Sequence, residues 1–197
     1  QIQNTKYLLF IGRLEERKNI VGIIKSFEIL KEQYKIPHKL ILAGRFGYGI
    51  EKIEASIEDS NFRKDIILPG YITDEEKWEL LKNADLFLFP TFYEGFGIPI
   101  LEAQSVGVPV VCSNNSSIPE VVNYSVEAKP RLESRGFASD YSAVLVDPMN
   151  AEQIADAAYK LISDKALRDD IIKKGYENVK RFSWEKCADQ IAKLLNG

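Results

Sequence analysis

Histidine occurs once in these 197 residues, cysteine twice and methionine once. The single histidine, His38, sits in "IPHK", which reads as a polar turn. That argues against a His-rich metal site and against catalysis built on imidazole. Cys112 and Cys187 are far apart and form no metal-spacing motif, so both are expected as reduced thiols in a reducing compartment. No apolar run approaches the ~20 residues that cross a bilayer. The first residues, "QIQNTKYLLF", lack a basic flank, a long apolar stretch and a small-residue cleavage site, so they are not read as a secretory leader. Excess positive charge is missing too: the net charge of −3 gives no reason to expect a nucleic-acid surface. There is no Asp-x-Asp pair to hold a divalent cation, and no internal repeat.

What is present suits a globular chain, with 45% hydrophobic and 28% charged residues. Short apolar runs alternate with segments of helical period. The expected strands are "KYLLFIG" (6–12), "KLILAG" (39–44), "DIILPG" (65–70), "DLFLFP" (85–90), "VPVVCS" (108–113) and "AVLVDP" (143–148). Residues 19–34 place Ile20, Ile23, Ile24, Phe27 and Leu30 on one helical face. Further helices are expected at 51–58, at 73–84 behind a capping Thr73-Asp74, at 99–106, and from Ala151 to the end. Strands apolar on both faces, alternating with helices, predict an α/β fold. Its sheet is doubly wound and parallel, of about six strands, with C-terminal helices. The stretch 123–142 is polar and aperiodic and reads as a long loop or insertion.

Ligands of such sheets bind outside the carboxyl ends of the strands. The residues there are Gly12-Arg13, Gly44-Arg45, Gly70-Tyr71, 90–97 and Ser113-Asn114. In "PTFYEGFGIPILEAQSVGVPVV" (90–111), Gly95 and Gly97 precede Pro99, which suits the first turn of a helix. A helix start offers unpaired N–H groups and partial positive charge, a seat for phosphate. Glu94 lies before that helix and Glu102 about one turn inside it; a carboxylate there would accept hydrogen bonds from ribose or sugar hydroxyls. The plainer alternative is two solvated glutamates at a helix start. "GRLEERKN" (12–19) brings Arg13, Arg17 and Lys18 to the first strand's end, either for phosphates or as a solvated basic turn. "GRFGYG" (44–49) reads as a tight turn rather than a phosphate cradle. Phe87 and Phe89 alternate in a strand and are expected in the core. Phe92, Tyr93 and Phe96 lie beyond it and could wall a pocket, and Trp78 and Trp184 are expected to pack.

On these residues the chain resembles the C-terminal, donor-binding domain of GT-B glycosyltransferases of the retaining "group 1" family. The likeness runs from "LLFIGRLEERKNI" through "LILAG", "ILPGYITDEE" and the paired glutamates Glu94–x7–Glu102 to "VDPMNAEQIADAAYKLI" and "RFSWEK". "SNNSSIPEVV" (113–122) is similar to mannosyl- and hexosyltransferases of bacterial surface polysaccharides. The resemblance implies that Arg13 and Lys18 hold the donor diphosphate, Glu102 the ribose and Glu94 the transferred sugar. It brackets sugar and phosphate with Gly95, Phe96 and Gly97, sets Gly12 and Gly44 along the donor, and rests the base near Gly70, Tyr71 and Ile72.

It further implies a nucleotide diphosphate sugar, GDP-mannose foremost, as donor substrate, with no cofactor and no metal. The acceptor, a lipopolysaccharide or other glycan or glycolipid, would be bound by an N-terminal domain. Residues 1–197 are then expected to be one nucleotide-sugar-binding domain of a larger cytoplasmic enzyme that meets the inner face of the membrane, and to be inactive alone. Two other classes stand beside this one. A nicotinamide-dependent oxidoreductase predicts G-x-G-x-x-G after the first strand, where the sequence has "GRLEER". A non-catalytic nucleotide-binding or regulatory module would share the same fold.

Overall fold

The structure is a computed structural model that describes residues 5–123 and 141–196. Six parallel strands form one sheet: β1 (Tyr7–Ile11), β2 (Lys39–Ala43), β3 (Ile66–Gly70), β4 (Leu86–Phe89), β5 (Val110–Ser113) and β6 (Val144–Val146). Their order is β3-β2-β1-β4-β5-β6. Registers such as Leu8↔Leu40, Leu8↔Leu86, Leu88↔Val111 and Cys112↔Leu145 fix the pairing. The order reverses between β1 and β4, the switch point at which doubly wound sheets bind ligands.

Apart from Ile11 and Lys39 at their ends, the inner strands are buried, because each is apolar on both faces. β3 is an edge strand, half open to solvent, and tolerates Pro69 for that reason. Phe87 and Phe89 are fully buried and stack at 5.7 Å.

Eight helices are described. α1 (Ile20–Glu32) turns Ile20, Ile23, Ile24, Phe27 and Leu30 into the core. α2 (Ile50–Glu58) packs on α1. α3 (Asp74–Lys82) opens with a capping box: Glu76 N donates to Thr73 Oγ1 at 3.2 Å and Thr73 N to Glu76 Oε2 at 2.7 Å. α4 (Ile98–Ser105) starts at Gly97 in left-handed conformation, with Pro99 in its first turn. α5 (Ile118–Val122) is a short helix that periodicity did not reveal, and it buries Ile118, Val121 and Val122. The C-terminal helical stretch divides into α6 (Ala151–Ser163), α7 (Lys165–Val179) and α8 (Trp184–Asn196). α6 packs on α1 and α7 on α4, so both faces of the sheet are covered. None of the described helices is long and apolar enough to cross a membrane.

Three expectations are corrected or fall outside view. His38 is buried rather than part of a polar turn: the chain leading into β2 meets Asp85, just before β4, with His38 Nε2 3.3 Å from Asp85 Oδ2. Trp184 does not pack; it is 82% exposed because no described residue covers the apolar side of α8. Of the stretch expected as a loop or insertion at 123–142, residues 124–140 lie outside the described part.

Candidate functional site

The loops after β1, β4, β5 and β6 meet at the switch point. After β1 the chain runs through residues 12–19, with a 3-10 turn at Glu16–Lys18 and Asn19 in left-handed conformation. Buried Asn19 ties this loop to two others, donating from Nδ2 to Pro90 O (2.9 Å) and to Pro148 O (2.6 Å). Phe92 N donates to Arg17 O at 3.0 Å, and Arg17 Nη1 to Tyr93 O at 2.9 Å. The loops after β1 and β4 are therefore stapled by backbone and by side chain.

This brings Lys18 onto Glu94. Lys18 Nζ donates to Glu94 Oε1, and Arg17 Nη1 stands 3.8 Å from Oε2. The Lys18 ammonium also lies 5.3 Å from the centre of the Phe89 ring. Arg17 has a second partner in Glu15 Oε1 at 2.8 Å. Arg13 extends into solvent, 67% exposed, with Glu15 Oε2 4.0 Å from its Nε.

The loop after β5 supports Glu94 from the other side. Glu94 N donates to Ser116 Oγ (3.1 Å), Ser117 Oγ to Glu94 O (2.9 Å), and Asn115 Nδ2 to Phe92 O (3.1 Å). These three residues were absent from the expected site. The signal available in the sequence was "NNSS" directly after a buried strand, a polar cluster where post-strand loops carry function.

The glycines separate by role. Gly44, at φ +141°, is required by close approach: a Cβ there would stand 1.9 Å from the Gly12 carbonyl oxygen. Gly97, at φ +102°, caps α4, and its Cβ would meet Ile118 Cδ1 at 2.9 Å. Gly95 has nothing within 4 Å, so a side chain there would project into open space. In the "GRFGYG" turn, Gly44 N donates to Gly70 O at 2.8 Å and Gly47 N to Leu14 O at 2.8 Å.

Glu102 lies on α4 as expected, but its carboxylate is engaged by a residue that the sequence reading passed over. Lys77 Nζ on α3 is 2.9 Å from Glu102 Oε1. Farther along the strand ends, Tyr71 is 66% exposed and the Arg45 guanidinium lies 4.5 Å over its ring, while Ile72 is half-buried beside the core. Phe96 is partly exposed and meets Phe182 edge-on at 5.6 Å. The structure thus joins Lys18, Arg17 and Glu94 directly. It leaves Arg13 solvated nearby and gives Glu102 and Tyr71 separate partners.

A family model described as "Glycosyl transferases group 1" matches residues 1–178. The chain belongs to the group 1 glycosyl transferase family. The chain is 35% identical, over 184 residues, to the O-antigen chain mannosyltransferase B of Escherichia coli; the match covers 93% of this chain and 44% of that protein. It is similar in fold to HepE of Anabaena, solved in complex with UDP and glucose, with a TM-score of 0.79 at 20% identity over 100% of this chain and 49% of the other. It is also similar to the crystallised C-terminal domain of a glycosyl transferase group 1 family protein (LpcC) from Francisella tularensis. There the TM-score is 0.69 at 22% identity, covering 89% of this chain and 85% of that one. The chain thus spans less than half the length of the mannosyltransferase it matches.

Proposed function

We propose that this chain is the donor-binding domain of a retaining glycosyltransferase that moves a hexose, mannose from GDP-mannose, onto a lipopolysaccharide or other surface glycan. The observation that carries the reading is the grouping of Lys18 and Arg17 on Glu94 at the switch point, beside the glycine-capped start of α4. Cations and a helix start suit a diphosphate, and a carboxylate suits sugar hydroxyls. The choice of mannose is supported by the 35% identity to an O-antigen mannosyltransferase.

In this reading Arg13 and Lys18 bind the diphosphate and stabilise the charge that grows on it as the bond to the sugar breaks. Lys18 is shared between phosphate and Glu94. Glu94 holds the transferred sugar, and the backbone of Gly95, Phe96 and Gly97 lies along sugar and phosphate. Gly12 and Gly44 let the strand ends approach each other beneath the donor. Glu102 accepts from the ribose, and the base rests by Tyr71 and Ile72, where Arg45 already covers one ring. The cations take the part that a metal plays elsewhere, and no protein nucleophile is invoked. Residues 1–197 serve as a single donor domain. The acceptor site and closure of the cleft belong to an N-terminal domain of the full-length enzyme, which works in the cytoplasm at the inner face of the membrane.

The test is transfer by the full-length parent, assayed with a panel of UDP-, GDP- and ADP-sugars and a lipid-linked glycan acceptor. Mannose transfer from GDP-mannose with an α-linked product is the expected result. Failure to transfer from every nucleotide sugar would overturn the enzymatic reading and leave a nucleotide-binding module.

A further inference from the structure

Lys77 is held in place more firmly than a surface lysine usually is. Its Nζ lies 2.9 Å from Glu102 Oε1 and 3.2 Å from Asp74 Oδ1, and 5.1 Å from the centre of the Trp78 ring. Lysine is ordinarily a mobile point charge on a flexible stem. Here the side chain is 20% exposed and that of Glu102 22%, whereas Asp74 is 85% exposed. The Asp74 contact lies within one helix, at i,i+3, and is solvated. The Glu102 contact joins α3 to α4 and is the one that reaches the candidate site. The hydrogen bond to Glu102 raises the Lys77 pKa above its usual value.

We propose that Lys77 is a positioning residue of the donor site: by holding Oε1 of Glu102 it fixes the carboxylate with Oε2 presented to the ribose hydroxyls. The proposal rests on the donor-site reading above. A carboxylate has about four lone-pair positions. One taken by Lys77 leaves enough for two hydroxyls, and the ion pair removes the rotamer freedom that ligand binding would otherwise have to freeze. Lys77 does not touch the ligand in this arrangement; it acts through Glu102.

Calorimetry with the tightest binder among UDP, GDP and ADP, and with its 2′,3′-dideoxy form, tests this. Lys77→Met should weaken the ribose-bearing diphosphate about five- to tenfold, as expected for a disturbed hydrogen bond to a charged group. It should weaken the dideoxy form at least about threefold less. Lys77→Arg should stay within about twofold of the unsubstituted chain, and in a Glu102→Gln background Lys77→Met should have no further effect. Melting curves of all variants check that each is folded. Equal losses for both ligands, a loss that persists in the Glu102→Gln background, or no loss at all overturns the proposal alone. If the unsubstituted chain binds none of the three diphosphates, the donor-site reading falls as well.

Discussion

Lys18 and Glu94, 76 residues apart, form an ion pair across the switch point, with side chains only 11% and 10% exposed. Removing one partner of a buried pair strands the other charge, which costs more than the pair itself contributes. Lys18→Met would leave Glu94 with Arg17 at 3.8 Å as its remaining cation. The expected destabilisation is about 2–3 kcal/mol in urea unfolding, below the usual range because Arg17 remains. Adding Glu94→Gln should recover most of that loss. A double variant no more stable than Lys18→Met would mean that the pair does not bridge the loops as described.

Gly44 and Gly95 make opposite predictions from the same residue type. A Cβ at Gly44 meets backbone, the Gly12 carbonyl at 1.9 Å, and the conformation is itself unfavourable for L residues. Gly44→Ala should cost at least about 3 kcal/mol or prevent folding. Gly95→Ala meets nothing within 4 Å and should change stability by about 0.5 kcal/mol or less. Thermal melts of the two variants read both outcomes.

Asp85 supplies a pH dependence away from the site. Its hydrogen bond to His38, helped by the charge of Arg168 3.4 Å away, lowers its pKa below the usual carboxylate value. The sign follows from linkage: with the folded pKa below the unfolded one, the contribution is complete above the unfolded value, about 3.9. It disappears as pH falls through the folded value. Asp85→Asn should therefore flatten the acid limb of a stability-against-pH curve below about pH 4. An acid limb of unchanged steepness would contradict this role.

The cysteines should differ in reactivity. Cys112 is fully buried on β5, and burial pushes its thiol far above the usual range, so little thiolate forms. Cys187 is exposed on α8. Alkylation of the native chain should modify Cys187 alone, with Cys112 reacting only on unfolding, as peptide mass mapping would show.

The strands were legible because each is a short apolar run closed by Gly, Pro or Ser, and all six lie within one or two residues of the expected bounds. α1 was legible from its 3.6-residue period. α5 was not, because five residues give no period to read, and Pro119 after "NNSS" resembles a turn. Trp184 shows the converse failure. Its amphipathic helix is evident in sequence, but whether anything covers the apolar side is not. At the site, the two glutamates and the basic loop were visible from spacing after the strands. Lys77, Ser116 and Ser117 were not, since their contacts cross 25, 22 and 23 residues and depend on how helices and loops pack.

Glu94 and Glu102 should separate in function because they sit in different surroundings. Glu94 is bound to Lys18 and framed by Ser116 and Ser117 on the loop before α4; Glu102 lies within α4 against Lys77. Under the proposed function, Glu102 meets the ribose and Glu94 the sugar. Glu102→Ala should weaken nucleoside diphosphate and nucleotide sugar alike by about 1–3 kcal/mol, since a ribose hydroxyl loses its acceptor. It should matter little for a 2′,3′-dideoxy nucleotide. Glu94→Gln keeps the side chain's shape but surrenders the charge that holds Lys18, freeing the ammonium for phosphate. Free nucleotide should then bind at least as well as before, while turnover in the full-length parent falls because the sugar is no longer held for attack. Calorimetry on this chain and kinetics on the parent give the two profiles. Identical profiles for Glu94→Gln and Glu102→Ala would refute the division, and no change in either would make both glutamates solvated neighbours of a helix start.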